Sequence, residues 1–294
     1  MTALPRTLLD AVEARLGFTV SDHRPIGGGC INDAHVLVAP GGEEVFLKWN
    51  AHLPPDAFAT EADGLHALRA RARGVRVPAP LGWSEPDAGG PGWLALEHVA
   101  AGRPGPRFAD LLAEGLASLH APTGEPSGWT QDNWIGALPQ ANTPAPWPRF
   151  WRERRLAAQL ERAGAQGRLD PERAPWPRVL DRVEVLLEEA PEPGLLHGDL
   201  WSGNVYADGE GVPVLVDPAC YRGDGAVDLA MAALFGGFPA PLFERYAACT
   251  GRAPASPALE AAYQLYPLLV HVNLFGGSYV RAALRTAGRV LDEG

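Results

Sequence analysis

Lysine is almost absent from this chain. Lys48 is the single lysine among 25 basic residues, the other 24 being arginine. The scarcity turns Lys48 into a question, because arginine is a wide planar fork whereas lysine is a compact point charge on a slim stem that reaches a phosphate oxygen from one side. Cysteine is also scarce: Cys30, Cys220 and Cys249 are odd in number and widely spaced. That spacing excludes a disulfide framework and a zinc site, and suits a reducing compartment. No apolar run approaches the roughly 18 residues of a membrane span, and the opening MTALPRTLLDAVEARLG reads as an amphipathic helix, not a signal peptide. A cytoplasmic location is expected. A basic excess is missing too. The formal charge of -10 argues against a nucleic-acid partner, since such binding needs a basic face to neutralise phosphates.

What is present is an ordinary globular composition, 46% apolar and 20% charged over 294 residues, long enough for two lobes with their own cores. After the first helix, which Gly17 terminates, FTVSDHRPI and NDAHVLV flank GGGC, and APGGEE turns into VFLKW. This pattern predicts a small antiparallel sheet. FATEADGLHALRARAR has helical spacing, and GVRVPAPLGWSEP and GWLALEHVA supply two more strands. Beyond AAGRPGPR the chain turns helical: FADLLAEGLASLH, RFWRERRLAAQLERAG, RVLDRVEVLLEEA and a stretch over 257–284. The expected architecture is α+β and bilobal, with lobes at 1–99 and 100–294. Residues 121–150 form a long Pro, Gly and Trp-rich connection, and its aromatic content argues against disorder.

The stretch LLHGDLWSGNVYADGEGVPVLVDPA, residues 195–219, carries the chemistry. Asp199 stands five residues before Asn204, and Asp217 ends an apolar strand after a Gly-rich turn. Kinase catalytic loops use this spacing: the first Asp orients the attacking hydroxyl and accepts its proton, while the Asn and later Asp hold magnesium on the phosphates of ATP. Lys48 then has a role. In a kinase-like small lobe the third strand gives a lysine to the phosphates, held by a glutamate on the next helix, and Glu61 follows thirteen residues later. Gly27, Gly28 and Gly29 form either a plain hairpin turn or a phosphate loop, with Cys30 at its lip. In WLALEHVA, by analogy with kinase hinges, the Glu97 carbonyl and Val99 amide meet the adenine edge.

These residues resemble the fructosamine (ketosamine) 3-kinase family, relatives of aminoglycoside and choline kinases within the protein-kinase-like fold. The tryptophan in HGDLWSGN is the discriminating letter. GGGCINDAH, GWTQDNWIGALPQAN, the run at 147–156, DPACYRGDGAVDLAM and YQLYPLLVHVNLFGGSY extend the likeness over nearly the whole chain. The resemblance implies ATP-dependent, magnesium-assisted phosphorylation of the C3 hydroxyl of a ketosamine, borne on a small molecule or a protein, by a monomer or weak dimer. It implies Asp199 as base, Asn204 and Asp217 as metal ligands, and Lys48 with Glu61 as the phosphate pair. Trp201 becomes a sugar platform or a core residue; His271 and Asn133 touch the acceptor or are structural. His197 and Asp228 brace the catalytic loop. Asp199 needs no raised pKa for this chemistry. Gly225 and Ala226 depart from the family's basic and acidic pair, which puts the acceptor pocket or a local ion pair in question. A phosphotransferase for aminoglycosides or amino alcohols, and a catalytically silent nucleotide-binding module, remain open alternatives.

Overall fold

The structure, a computed structural model, describes residues 4–27, 32–86 and 90–292. Helix α1 (Arg6–Leu16) ends where Gly17 adopts the left-handed conformation, φ 73°, and returns its N–H to Glu13 O. Five antiparallel strands follow: β1 (Asp22–Ile26), β2 (Asp33–Val38), β3 (Glu44–Asn50), β4 (Pro80–Ser84) and β5 (Gly92–Glu97), in the order β1-β2-β3-β5-β4. Helix α2 (Ala57–Arg71) links β3 to β4.

Alternation along β3 explains why EVFLKWN is apolar almost throughout. Val45, Leu47 and Trp49 pack on Leu8, Leu9 and Val12 of α1, with Trp93 and Ala95 of β5. The opposite face belongs to Phe46 and Lys48, with Leu94 and Leu96 of β5 set against α2. A sheet covered on both faces needs hydrophobic residues on both, and each fully buried Leu contributes roughly 1.5–3 kcal/mol of transfer free energy.

Residue 100, near which a boundary is expected, lies in the linker between β5 and α3 (Phe108–His120). The intervening linker is pinned to the hairpin of β9 (Val205–Ala207) and β10 (Pro213–Leu215): Gly102 N–H donates to Ala207 O at 2.7 Å, and Tyr206 O–H to Val99 O at 3.0 Å. The long connection contains a short hairpin, β6 (Asn133–Ile135) and β7 (Leu138–Gln140). After it, residues 147–165 form one helical run in which α4 (Trp147–Phe150) and α5 (Ala158–Ala165) flank a π-helical segment, Trp151–Ala157. Helix α6 is Trp176–Leu186, and a second small ladder pairs β8 (Gly194–Leu196) with β11 (Tyr221–Gly223). Helices α7 (Ala226–Phe235), α8 (Leu242–Thr250), α9 (Pro257–Phe275) and α10 (Ser278–Leu291) complete the chain. The helical stretch expected over 257–284 contains two helices, α9 and the start of α10, separated where Gly276 and Gly277 both take positive φ. Among the described residues, no helix is long and apolar enough to cross a membrane.

Candidate active site

The cleft between the sheet and the helical lobe has a volume of about 480 Å³, within the usual range for small-molecule sites. Its floor comes from the segment after β8. His197 and Gly198 donate their backbone N–H groups to the two oxygens of Asp228, at 2.8 and 3.0 Å, so a fully buried carboxylate on α7 fixes the turn that presents Asp199. Asp228 is itself held by His120 Nε2 at 3.0 Å, and His120 Nδ1 lies 2.9 Å from the Tyr246 hydroxyl. His197 donates from Nε2 to Val216 O and accepts the Asp199 N–H at Nδ1, which fixes its neutral tautomer. Burial lowers its pKa, and both ring nitrogens are engaged by backbone groups.

Asn204 closes the loop over the floor, donating from Nδ2 to Asp199 O at 2.9 Å, to Asp199 Oδ2 at 3.0 Å and to Asp217 O at 3.4 Å. Asp217 sits in the left-handed region, φ 52°, rare for a non-glycine residue, with its side chain half exposed to the cleft. From above, Lys48 Nζ lies 2.5 Å from Glu61 Oε1 and 2.7 Å from Asp217 Oδ1. A single nitrogen between two carboxylates, only 4% exposed, is geometry that the branched guanidinium of arginine does not fit.

Electrostatics follow from this packing. Burial pushes Lys48 down, but the Asp217 and Glu61 carboxylates outweigh it and hold the ammonium raised above its ordinary value. Burial raises Glu61 in spite of Lys48. At Asp217 burial works upward, yet Lys48 keeps it lowered and ionised. At Asp199 desolvation, opposed by the Asn204 hydrogen bond and aided by the charges of Asp217 and Asp228, raises the pKa to about 7, a shift the chemistry does not require.

The donor set fits a hard divalent cation. Asp217 offers a cleft-facing carboxylate, and Asn204, with Nδ2 engaged on Asp199, has its Oδ1 as the oxygen to give. Glu97, Val99 and Gly27 line the same cleft, while Gly28 and Gly29 lie outside the described residues, as does Cys30. Trp201 also lines it, 38% exposed, with its indole against Gly203, where a Cβ would come within 2.1 Å of the ring.

Other expected residues go elsewhere. Asn133 lies in the cleft wall, but its amide is consumed: Nδ2 donates to Cys220 O at 2.8 Å, and Oδ1 accepts from Gln140 and Asn142. His271 is absent from the cleft lining. It packs among Phe235, Phe275 and Tyr279, with Nδ1 2.8 Å from Pro267 O. The Gly225 departure has a packing cause, since a Cβ there would lie 2.5 Å from the His120 ring. Neither Gly225 nor Ala226 lines the cleft, so the change does not alter its wall. Sequence reasoning missed Tyr206 and Trp134, which line the cleft, and His120 beneath it. The β-alternation around Asn133 could have pointed to Trp134; nothing local marks His120.

Comparison with known proteins assigns the chain to a family. A family model described as fructosamine kinase matches residues 5–293. A probable ketoamine kinase of Synechocystis is 39% identical, covering 90% of this chain and 89% of its own, and a chloroplastic protein-ribulosamine 3-kinase of Oryza sativa is 36% identical, covering 88% and 75%. A crystal structure described as a putative fructosamine-3-kinase of Thermobifida fusca superposes with TM-score 0.85 at 34% identity, covering 97% of this chain and 98% of that one. A choline kinase of Streptococcus pneumoniae, at TM-score 0.59 and 14% identity, shares the protein-kinase-like fold. The chain therefore belongs to the fructosamine kinase family.

Proposed function

We infer that this protein is an ATP-dependent kinase that phosphorylates the C3 hydroxyl of ketosamines, the sugar adducts of amines. The observation that carries the reading is the convergence of Lys48, Glu61, Asp199, Asn204 and Asp217 in one cleft, in a chain whose relatives are ketoamine and ribulosamine kinases.

Lys48, braced by Glu61, grips the phosphates of ATP from the sheet side. Asp217 and Asn204 would hold a magnesium ion, which when bound would supply positive charge to the phosphates. Asp199 orients the sugar hydroxyl and takes its proton. A carboxylate with pKa near 7 is better matched to that transfer at neutral pH than an unperturbed one. Glu97 and Val99 face the adenine edge, with Tyr206 steadying the Val99 carbonyl. Trp201 gives the sugar an aromatic face. The acidic charge of -10 supports an enzyme without nucleic-acid partners.

The test supplies purified protein and Mg·ATP with a ribulosamine, a fructosamine and an aminoglycoside, and follows ADP release. Turnover on the ketosamines alone is expected; turnover on the aminoglycoside alone overturns the assignment.

A further inference from the structure

Trp134 has no part in the phosphoryl machinery, yet the structure brings it to the same cleft. On β6, Asn133 and Ile135 are buried on one face, so the alternation of the strand turns Trp134 the other way. There, half-buried, it lines the cleft that also holds Asp199 and Trp201. Its one polar atom is spent. Nε1–H donates to Asp56 Oδ1 at 2.7 Å, across the gap between the β6–β7 hairpin and the start of α2. Asp56 holds the left-handed conformation, φ 66°, at the position just before α2, an arrangement that costs a non-glycine residue energy and points to a constrained function there. A second indole of the same segment repeats the bridge: Trp129 Nε1–H donates to Asp63 Oδ2 on α2 at 2.7 Å. With its N–H paired, Trp134 offers the cleft only apolar ring surface. Trp201 offers another such surface from the catalytic loop.

Resting on the ketosamine reading above, we propose that Trp134 is a specificity-determining residue, the second aromatic wall of the acceptor subsite, which takes the C–H face of the sugar carbons opposite Trp201. Asp56 is its positioning residue. Two indoles from separate elements recognise a carbohydrate by its apolar faces and leave hydroxyl recognition to the carboxylate floor. Trp134 is tied by its Nε1–H to Asp56, at the position before α2, and is not among the groups that pair around Lys48, so its contribution is assigned to acceptor binding and not to ATP binding.

Steady-state kinetics on the full chain test this with Trp134→Leu, which stays apolar but loses the aromatic face, Trp134→Phe, which keeps a ring, and Asp56→Asn. The expected result for Trp134→Leu is a ketosamine KM raised roughly tenfold, the scale of one lost stacking contact, with ATP KM and kcat within about twofold. Trp134→Phe stays near wild type, and Asp56→Asn falls between. An unchanged ketosamine KM in Trp134→Leu overturns the proposal, as does an equal rise in ATP KM, which marks a purely structural bridge to α2. Wild type measured alongside separates the two readings: no ketosamine turnover by wild type sinks the function itself, whereas normal turnover with an indifferent Trp134→Leu sinks only the role of the indole.

Discussion

At the scale of single residues, the proposed reaction puts both the chemistry and its cost on Asp199. Its pKa of about 7 arises because the site withholds water from a carboxylate that must ionise to accept a proton. Since the base works ionised, kcat/KM of the wild type is expected to fall as pH drops through about 7; a profile flat down to pH 5 contradicts the assignment. The same shift bears on stability. A carboxyl whose folded pKa lies above its unfolded value of about 3.9 contributes stability that is present below about pH 4 and lost as pH rises through about 7. Asp199→Asn does not titrate and escapes that loss. We expect it to bind ATP nearly as wild type, to turn over about 10²–10⁴-fold more slowly, and to melt at higher temperature than wild type at pH 8 but not at pH 4. Calorimetry at the two pH values with single-turnover assays checks all three. Lys48→Arg probes the opposite wall. The fork cannot replace one nitrogen 2.5 and 2.7 Å from two carboxylates, so ATP KM should rise and kcat fall at least about tenfold, read by initial rates at varied ATP.

At the scale of elements, the sheet was legible because β3 and β5 state their burial in alternation and Lys48 is conspicuous by composition. The catalytic loop was legible because its residues are close in sequence. The support beneath it was not: His120 and Asp228 meet across 108 positions, and no local pattern announces that pairing. The connection over 121–150 was correctly expected to be ordered, but its role as a bridge to α2 depends on tertiary hydrogen bonds. The π-helical segment behind it was likewise hidden. Arg155, on that segment and fully buried, pairs with no carboxylate among the described residues: it lies 3.9 Å from the Tyr221 ring and 4.5 Å from that of Phe150, and donates to Ala141 O and Asn142 Oδ1, both at 2.7 Å. Asn142 passes the restraint to Asn133, whose amide holds Cys220 O just beyond Asp217. Arg155→Ala therefore empties a cage and orphans two acceptors, and should destabilise by about 3–4 kcal/mol in denaturant unfolding. A change below about 1 kcal/mol removes this pillar from the account.

At the scale of the whole molecule, the cleft lies where the two lobes face each other, and α2 contributes to both. Its Glu61 serves Lys48, while its Phe58, Leu65 and Leu68 join Leu112, Leu116 and Tyr246 in one core. Lobe placement and phosphate geometry are therefore mechanically linked. Mg·ATP should raise the melting temperature and ATP with a chelator should do so much less, because Asp217 and Lys48 then meet the phosphates without the cation between them. The most direct test of the central claim is the position of the phosphate in the product. Wild type, Mg·ATP and a ribulosamine are allowed to react, and phosphorus–proton correlation spectra are recorded before the adduct breaks down. The account predicts phosphorus coupled to the proton on C3, followed by release of the amine. Phosphorus on another carbon, or inorganic phosphate alone, would contradict it.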